Sequence, residues 1–159
     1  MPEIALDPID RRILATLQAD GRLSNVDLAD RVGLSPSPCL RRVKRLEDAG
    51  MIAGYRAVLD RKAVGLGLTV FVELKVGKHS RDNAAILQEA LLAIPEVVSC
   101  HMVSGISDFL AEVVVPDLEA YEKLMTDAIL TLPTIVDVRS NFAIRTIKSG
   151  APLPLGHLA

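Results

Sequence analysis

The sequence predicts an α+β protein with two domains, an N-terminal winged helix-turn-helix and a C-terminal ferredoxin-like βαββαβ domain. Residues 1–60 show helical periodicity broken by short turns, whereas residues 68–148 alternate strand-like and helix-like runs in βαβ order twice. Two βαβ units of nearly equal length are typical of a sandwich in which two helices cover one antiparallel sheet. We therefore expect a helical domain with a linker strand at 1–60, a glycine-bearing linker at 61–67, the sandwich at 68–148 and a flexible tail at 149–159.

The composition indicates a folded protein of the cytoplasm, without a membrane partner. Half of the 159 residues are hydrophobic, and the longest nearly uncharged stretch, residues 63–72, is about half as long as a membrane span. Cys39 and Cys100 lie in apolar-periodic segments, where a buried free thiol is the usual state, so we expect no disulfide.

The first two helices are predicted from their end signals. Asp7 is a good N-cap, Pro8 suits the first helical position, and Gly21 follows the end of the first helix. Ser24 opens a sequence that resembles a capping box, and Gly33 suits the left-handed conformation that closes a short second helix.

The third helix is predicted from the Ser35 cap to the stop signal at Gly50, and a short extended flap or wing follows at Met51–Tyr55. At about 100° per residue, four residues form one side that would pack on the first two helices. These core-facing residues are Cys39, Leu40, Val43 and Leu46. The arrangement of a short helix, a tight turn and a second capped helix predicts a helix-turn-helix.

The opposite face of the third helix carries the residues expected to contact double-stranded DNA. A recognition helix reads bases from its N-terminal turns, so we assign base contacts to Ser37, Pro38 and Arg41. Backbone phosphates would be held by Arg42, Lys44 and Arg45, with further hydrogen bonds from the helix starts. The residues at those starts are Ser24, Asn25 and Ser35.

A run of charges on a helix is often only a solvated face, and the net charge of −2 gives no general attraction to nucleic acid. Residues 1–60 contain nine basic and nine acidic side chains, so DNA binding must rest on the local cluster at 41–45. The acidic pair Glu47 and Asp48 at the end of this helix would either limit non-specific binding or pair with neighbours.

The second half contains four predicted strands and two predicted helices. Val70, Val72, Leu74 and Val76 alternate as one buried sheet face requires. The strands are expected at Thr69–Val76, Val97–Val103, Asp108–Val115 and Ile135–Ile147, and the helices at Arg81–Ile94 and Leu118–Leu132.

The loop between the two central strands is the candidate ligand site of this half. Gly105 permits close backbone approach, and the Asp108 carboxylate can accept hydrogen bonds from a ligand ammonium group. On these residues alone, an ordinary hairpin with a turn-forming Asp is the favoured interpretation.

An ordered series of motifs resembles the leucine-responsive regulatory protein family, also called Lrp/AsnC. The motifs are Asp10-Arg11-Arg12-Ile13-Leu14, residues 20–26, residues 32–43, Gly54-Tyr55, residues 101–105 and Val115-Pro116-Asp117. The resemblance extends to about Lys148. It implies a winged helix-turn-helix, a ferredoxin-like domain of the RAM type that binds amino acids, and homodimers that assemble into tetramers or octamers.

The resemblance also implies an effector site between subunits at a Gly-x-x-Asp loop, which Gly105 and Asp108 match. In such a site Asp108 would hold the amino group, and Leu118 would border the pocket. The other implied contacts come from Met102, Val103, Ser104 and Gly105. Ile106 departs from leucine-responsive members, which often have an acidic residue there, so leucine, methionine and other small amino acids all remain candidates.

Catalytic chemistry finds little support in the sequence. Cys100 and His101 are neighbours on a predicted strand and point to opposite faces, and no glycine-rich phosphate loop is present, so we expect no metal, no cofactor and no enzyme activity. The leading hypothesis is a sequence-specific regulator that responds to an amino acid. The alternatives are an architectural, nucleoid-type protein that wraps DNA and a small metabolic enzyme built on the second domain.

Overall fold

The chain forms two compact units in the computed structural model, which describes residues 5–77, 81–132 and 134–158. One unit comprises Met1–Val58 together with Lys148–Ala159, and the other comprises Leu59–Ile147. The C-terminal tail therefore groups with the helical unit.

The helical unit contains the three predicted helices, α1 (Pro8–Ala19), α2 (Asn25–Val32) and α3 (Pro36–Asp48). Asp7 caps α1 by accepting hydrogen bonds from the backbone amides of Ile9 and Asp10. Ser24 caps α2, and Gly33 ends that helix with a φ of 73°, in the left-handed region that the sequence predicted.

The core of this unit is small and draws on all three helices. Its fully buried hydrophobic members are Ile13, Leu28, Ala29, Val32, Cys39 and Leu46. The expectation that Leu40 faces this core is wrong, because 44% of its surface is exposed. Cys39 and Leu46 lie seven positions apart on the inner face of α3, whereas Leu40 is rotated about 100° from Cys39.

The flap that follows α3 packs against the helical unit. Gly50 takes a φ of 72°, and the amide of Met51 returns a hydrogen bond to the carbonyl of Leu46. Among the described residues, Met51–Tyr55 joins no β-ladder. The Tyr55 hydroxyl instead donates to Glu47, over 3.0 Å, which gives that acidic residue of α3 a structural partner.

The tail residues 149–158 adopt no helix or strand. The Gln18 side chain makes two hydrogen bonds with the backbone of Leu153. Its Oε1 accepts from the Leu153 amide, and its Nε2 donates to the Leu153 carbonyl. The side chain of Leu155 helps line a hollow with Leu14 and Leu17. These contacts attach the tail to α1.

The second unit is the predicted ferredoxin-like sandwich. Its elements are β1 (Leu68–Val76), α4 (Arg81–Leu92), β2 (Val97–Met102), β3 (Phe109–Val115), α5 (Leu118–Asp127), a 3-10 helix (Ile129–Thr131) and β4 (Ile135–Phe142). The strands are antiparallel in the order β2-β3-β1-β4, so β1 and β3 are the central strands. Side chains of α4 and α5 pack with one face of this sheet in the larger core.

Two elements of the second unit end five residues earlier than the sequence predicted. The last strand was expected to reach Ile147, but β4 ends at Phe142, because Phe142 pairs with Val70 and β1 begins only two residues earlier. The second helix was expected to reach Leu132, but α5 ends at Asp127. The Thr131 hydroxyl donates to the carbonyl of Ala128 in the short 3-10 helix that follows.

Replacement of Leu46 by Ala tests the contribution of the small helical core. Leu46 is fully buried, so Leu46→Ala should lower the free energy of unfolding by about 2–5 kcal/mol. The matched control Leu40→Ala, on the exposed side of α3, should cost about 1 kcal/mol or less. Urea titrations followed by circular dichroism measure both, and equal losses would show that α3 is packed on a different face.

Candidate DNA-binding surface and effector loop

The start of α3 is fixed by a side-chain hydrogen bond from the start of α2. The Asn25 side-chain amide donates to the carbonyl of Pro36 over 2.9 Å, which ties α2 to the first turn of α3. Ser24 is engaged within α2, where its hydroxyl donates to Asp27 and accepts from the Asp27 amide. The structure therefore places the predicted contacts Ser24 and Asn25 at the helix junction.

The residues predicted to read bases lie at the exposed start of α3. Ser35 and Ser37 are exposed, Pro38 is half-buried, and Arg41 is exposed one turn further along. Lys44 is also exposed. This edge presents hydroxyl and guanidinium donors of the type that bind base edges and phosphates.

Arg42 and Arg45 differ from these residues, because both are bound to a carboxylate of α1. Nη1 of Arg42 donates to Asp7 over 2.6 Å and to Asp10 over 2.8 Å. Nη2 of Arg45 donates to the second carboxylate oxygen of Asp10. Asp10 is fully buried, and its two oxygens thus join α1 to α3.

These ion pairs shift the acid-base equilibria of the exposed partners. The backbone amide of Asp10 and the guanidinium of Arg42 lower the pKa of Asp7 to about 2. The hydrogen bonds that Arg42 donates to the carboxylates of Asp7 and Asp10 raise the pKa of Arg42. Both groups are therefore ionised at neutral pH.

Three guanidinium groups surround an open hollow beside α3. Its lining residues are Leu34, Pro38, Arg41, Arg42 and Arg45, and its volume is about 320 Å³. Three of its five lining residues are arginines, which suits an anionic group.

In the second unit, the loop from Val103 to Asp108 is fixed to β1 by hydrogen bonds. The Asp108 amide donates to the carbonyl of Leu74, and the Asp108 carboxylate accepts from the amide of Val76 over 2.8 Å. The Val103 amide closes the loop by donating to the carbonyl of Asp108. Gly105 has a φ of 136°, a conformation that L side chains rarely adopt.

Glu73 is a further functional candidate that sequence reasoning missed. Its two oxygens accept from the Ser107 hydroxyl and from the Asn141 side-chain amide, each over 2.9 Å. Glu73 therefore connects the loop to β1 and β4. Alternation along β1 places Glu73 opposite the buried face, but no local signal indicates partners 34 and 68 residues away.

The structure places the remaining predicted effector residues in three different surroundings. Ile106 is 70% exposed at the loop, whereas Met102 lines a separate hollow with Leu92 and Phe109. The loop precedes β3 and Leu118 follows it. At a strand rise of 3.3 Å per residue, the two ends of β3 lie about 20 Å apart. Within one chain, Leu118 and the loop are therefore not brought together.

Comparisons with known proteins agree with both units. Residues 6–53 match the family described as winged helix-turn-helix DNA-binding, and residues 69–153 match the Lrp/AsnC ligand binding domain. The leucine-responsive regulatory protein of Escherichia coli K12 is 45% identical over 143 residues, which cover 90% of this chain and 87% of that protein. The chain belongs to the Lrp/AsnC family.

Solved structures of Lrp/AsnC regulators share the fold. A transcriptional regulator from Neisseria meningitidis in complex with L-Met superposes with a TM-score of 0.92 at 40% identity, covering 97% of this chain and 99% of that chain. An AsnC family regulator from Agrobacterium tumefaciens gives the same TM-score and identity, with 97% and 100% coverage. The predicted fold and family are thus confirmed, and the relatives are transcriptional regulators, as expected, and not enzymes.

The described parts of this Lrp/AsnC chain offer neither a metal-binding cluster nor a membrane-spanning helix. Within residues 5–77, 81–132 and 134–158, no group of three His, Cys, Asp or Glu residues could hold a metal ion. Among the same residues, no helix has the length and apolar character needed to cross a membrane.

The lowered pKa of Asp7, caused by the Asp10 backbone amide and by Arg42, predicts a specific pH dependence of stability. Because the pKa of Asp7 is lowered from 3.8 to about 2, its charge stabilises the folded state above about pH 4, and this contribution is lost as the pH falls towards 2. Asp7→Asn keeps the capping oxygen but removes the charge. Urea titration measures the difference in unfolding free energy between the wild type and Asp7→Asn. This difference should be constant above about pH 5 and should shrink towards zero as the pH falls from 4 to 2. A difference that persists at pH 2 would contradict the assigned ion pair.

Proposed function

We propose that this protein is a sequence-specific transcriptional regulator whose DNA binding or assembly responds to a small amino acid bound between C-terminal domains. The observation that carries the DNA part is the exposed edge of α3, where Arg41 and Lys44 lie on a helix that packs in one core with α1 and α2. The predicted cap residue Ser35 stands at the N-cap position but makes no side-chain capping hydrogen bond. The helical unit is the DNA-binding domain, and the sandwich unit binds the effector and forms oligomers. We infer that it acts in the cytoplasm, with DNA as its partner.

The residues of the DNA surface divide by their position on α3. Ser37, Pro38 and Arg41 lie nearest the start of the helix and contact base edges, where an Arg can bond O6 and N7 of one guanine together. Lys44 and the two paired arginines hold backbone phosphates. Residues at the N-terminal ends of α2 and α3 add positioning contacts to the DNA backbone. They are Ser24, Asn25 and Ser35.

The effector site is the loop Gly105–Asp108 with Met102, Val103 and Ser104 beside it. The Asp108 carboxylate receives the ammonium group next to the Val76 amide that it already accepts from. Ile106 offers an exposed apolar side chain, which favours an effector with an apolar side chain such as methionine or leucine. The L-Met complex of the Neisseria relative supports this choice.

The distance between the loop and Leu118 supports a site shared by subunits. Because one chain holds them about 20 Å apart, a pocket that includes both requires the loop of one subunit and the Leu118 of another. A ligand there changes the packing of subunits, and the spacing of their recognition helices changes with it. The proposed assemblies are dimers that form tetramers or octamers.

Substitutions at Arg41 and Lys44 test the division of the DNA surface. Arg41→Ala should relax base preference at one operator position by about 1–3 kcal/mol, while Lys44→Ala should weaken all sequences alike and lower the salt slope by about one. Binding isotherms on operator and random duplexes at several salt concentrations provide both quantities. Indistinguishable behaviour of the two variants would refute the division.

The same isotherms distinguish a sequence-specific regulator from an architectural, DNA-wrapping protein. A regulator should bind its operator at least about a thousandfold more tightly than random DNA at one salt concentration. A ratio near one would favour the architectural, DNA-wrapping alternative.

The effector is tested by thermal shift against the twenty amino acids. The true effector at 100 times its dissociation constant should stabilise the protein by about 2.7 kcal/mol. Asp108→Asn should abolish this shift, because the amide keeps an acceptor for Val76 but lacks the charge that binds ammonium. Asp137→Asn, which removes a charge exposed on β4, is the matched control and should leave the shift unchanged. An undiminished shift in Asp108→Asn would place the amino group elsewhere.

A further inference from the structure

Arg42 and Arg45 of α3 have more donors than their carboxylate partners occupy. A guanidinium carries five N–H donors, and the contacts to Asp7 and Asp10 are made through Nη1 of Arg42 and Nη2 of Arg45. The two side chains remain 27% and 44% exposed. Each can therefore bind a carboxylate on its inner side and an anion on its outer side.

The geometry points to Asp10 as the positioning residue of a phosphate-binding hollow. We propose that Asp10 holds Arg42 and Arg45 in the orientation in which they bind one phosphate of the DNA backbone. The inference rests on the proposed function, since it takes α3 to be the DNA-binding helix. It adds a residue of α1 that lies behind the contact surface.

The position of Asp10 supports this role. Its carboxylate is fully buried, so each oxygen needs a partner, and the partners are the two arginines and the backbone amide of Asp7. Because one oxygen binds Arg42 and the other binds Arg45, a single rigid group sets the spacing of both guanidiniums. The hollow that they line with Arg41 holds about 320 Å³, roughly the volume of ten water molecules, which accommodates a phosphate group.

A purely electrostatic role of Asp10 and a positioning role have opposite effects on DNA binding. A carboxylate this close to the cations reduces the positive potential of α3, so its neutralisation by itself should strengthen DNA binding. If Asp10 instead positions the arginines, its neutralisation should weaken binding in spite of the added positive charge. The two roles thus predict changes of opposite sign.

The experiment compares Asp10→Asn with Asp30→Asn on a random-sequence duplex over a range of salt concentrations. Asp30 lies on the exposed side of α2, so its substitution changes the net charge by the same amount outside the hollow. We expect Asp10→Asn to lower the affinity about tenfold and to reduce the slope of log K against log salt by about one, the value for one phosphate contact. Asp30→Asn should leave the slope unchanged and the affinity equal or higher.

The slope also separates positioning from folding. Partial unfolding of Asp10→Asn would lower the affinity by the same factor at each salt concentration and leave the slope unchanged, and this outcome would overturn the proposal. Tighter binding by Asp10→Asn would overturn it as well. If the wild-type protein binds no duplex, the proposed function fails, whereas wild-type binding with an unchanged slope in the variant refutes the role of Asp10 alone.

A second pair of variants applies the test without a change of net charge. Arg45→Lys keeps the cation but replaces the planar fork with a single ammonium group, which cannot bind Asp10 and a phosphate in the same fixed geometry. It should lower the affinity several-fold. The matched control Arg139→Lys, on β4 of the sandwich unit, should bind like the wild type. Equal binding by Arg45→Lys and the wild type would contradict the proposed hollow.

Discussion

A buried carboxylate must be paired, and this requirement organises the helical unit. Asp10 lies on the same face of α1 as Ile13, so it enters the interface with α3 together with the apolar core. An unpaired charge there would cost several kcal/mol, and the two arginines of α3 supply the compensation. Since both must reach the same group, the rotation of α3 about its axis is set by Asp10 as much as by Leu46.

This arrangement changes how the run of four cations is understood. The sequence shows Arg41, Arg42, Lys44 and Arg45 as one cluster, whereas the structure divides them into two exposed side chains and two that bind carboxylates of α1. The positive charge that α3 offers to DNA is consequently more localised than the sequence indicates. Such localisation fits a slightly acidic protein that must bind DNA through a small part of its surface.

Local signals predicted most of the fold, because caps and periodicities act over three or four residues. Asp7 and Ser24 cap the starts of α1 and α2, and Gly33 ends α2, as expected. The alternation from Val70 to Val76 marks the buried face of β1. Errors arose where distant partners decide the outcome. The end of β4 depends on where β1 begins, and the orientation of Arg42 depends on residues 32 and 35 positions away. Asp10 itself, at helical spacing from Ile13 and Leu17, was a detectable sign of a buried ion pair.

The candidate effector site shows the same division between local and long-range information. The Gly105 and Asp108 pattern was visible in the sequence, but its attachment to β1 was not. The Asp108 carboxylate binds the Val76 amide, and Ser107 binds Glu73, so the loop is fixed to a central strand at two points.

These anchors restrict how a ligand at the loop can act. Because β1 pairs with both β3 and β4 along its length, a shift of the loop is opposed by two ladders and is more easily relieved at a contact with another subunit. The distance of Leu118 from the loop leads to the same conclusion, since a pocket containing both needs two chains. In the proposed site between subunits, a rigid loop would let the effector alter assembly without unfolding the domain that binds it.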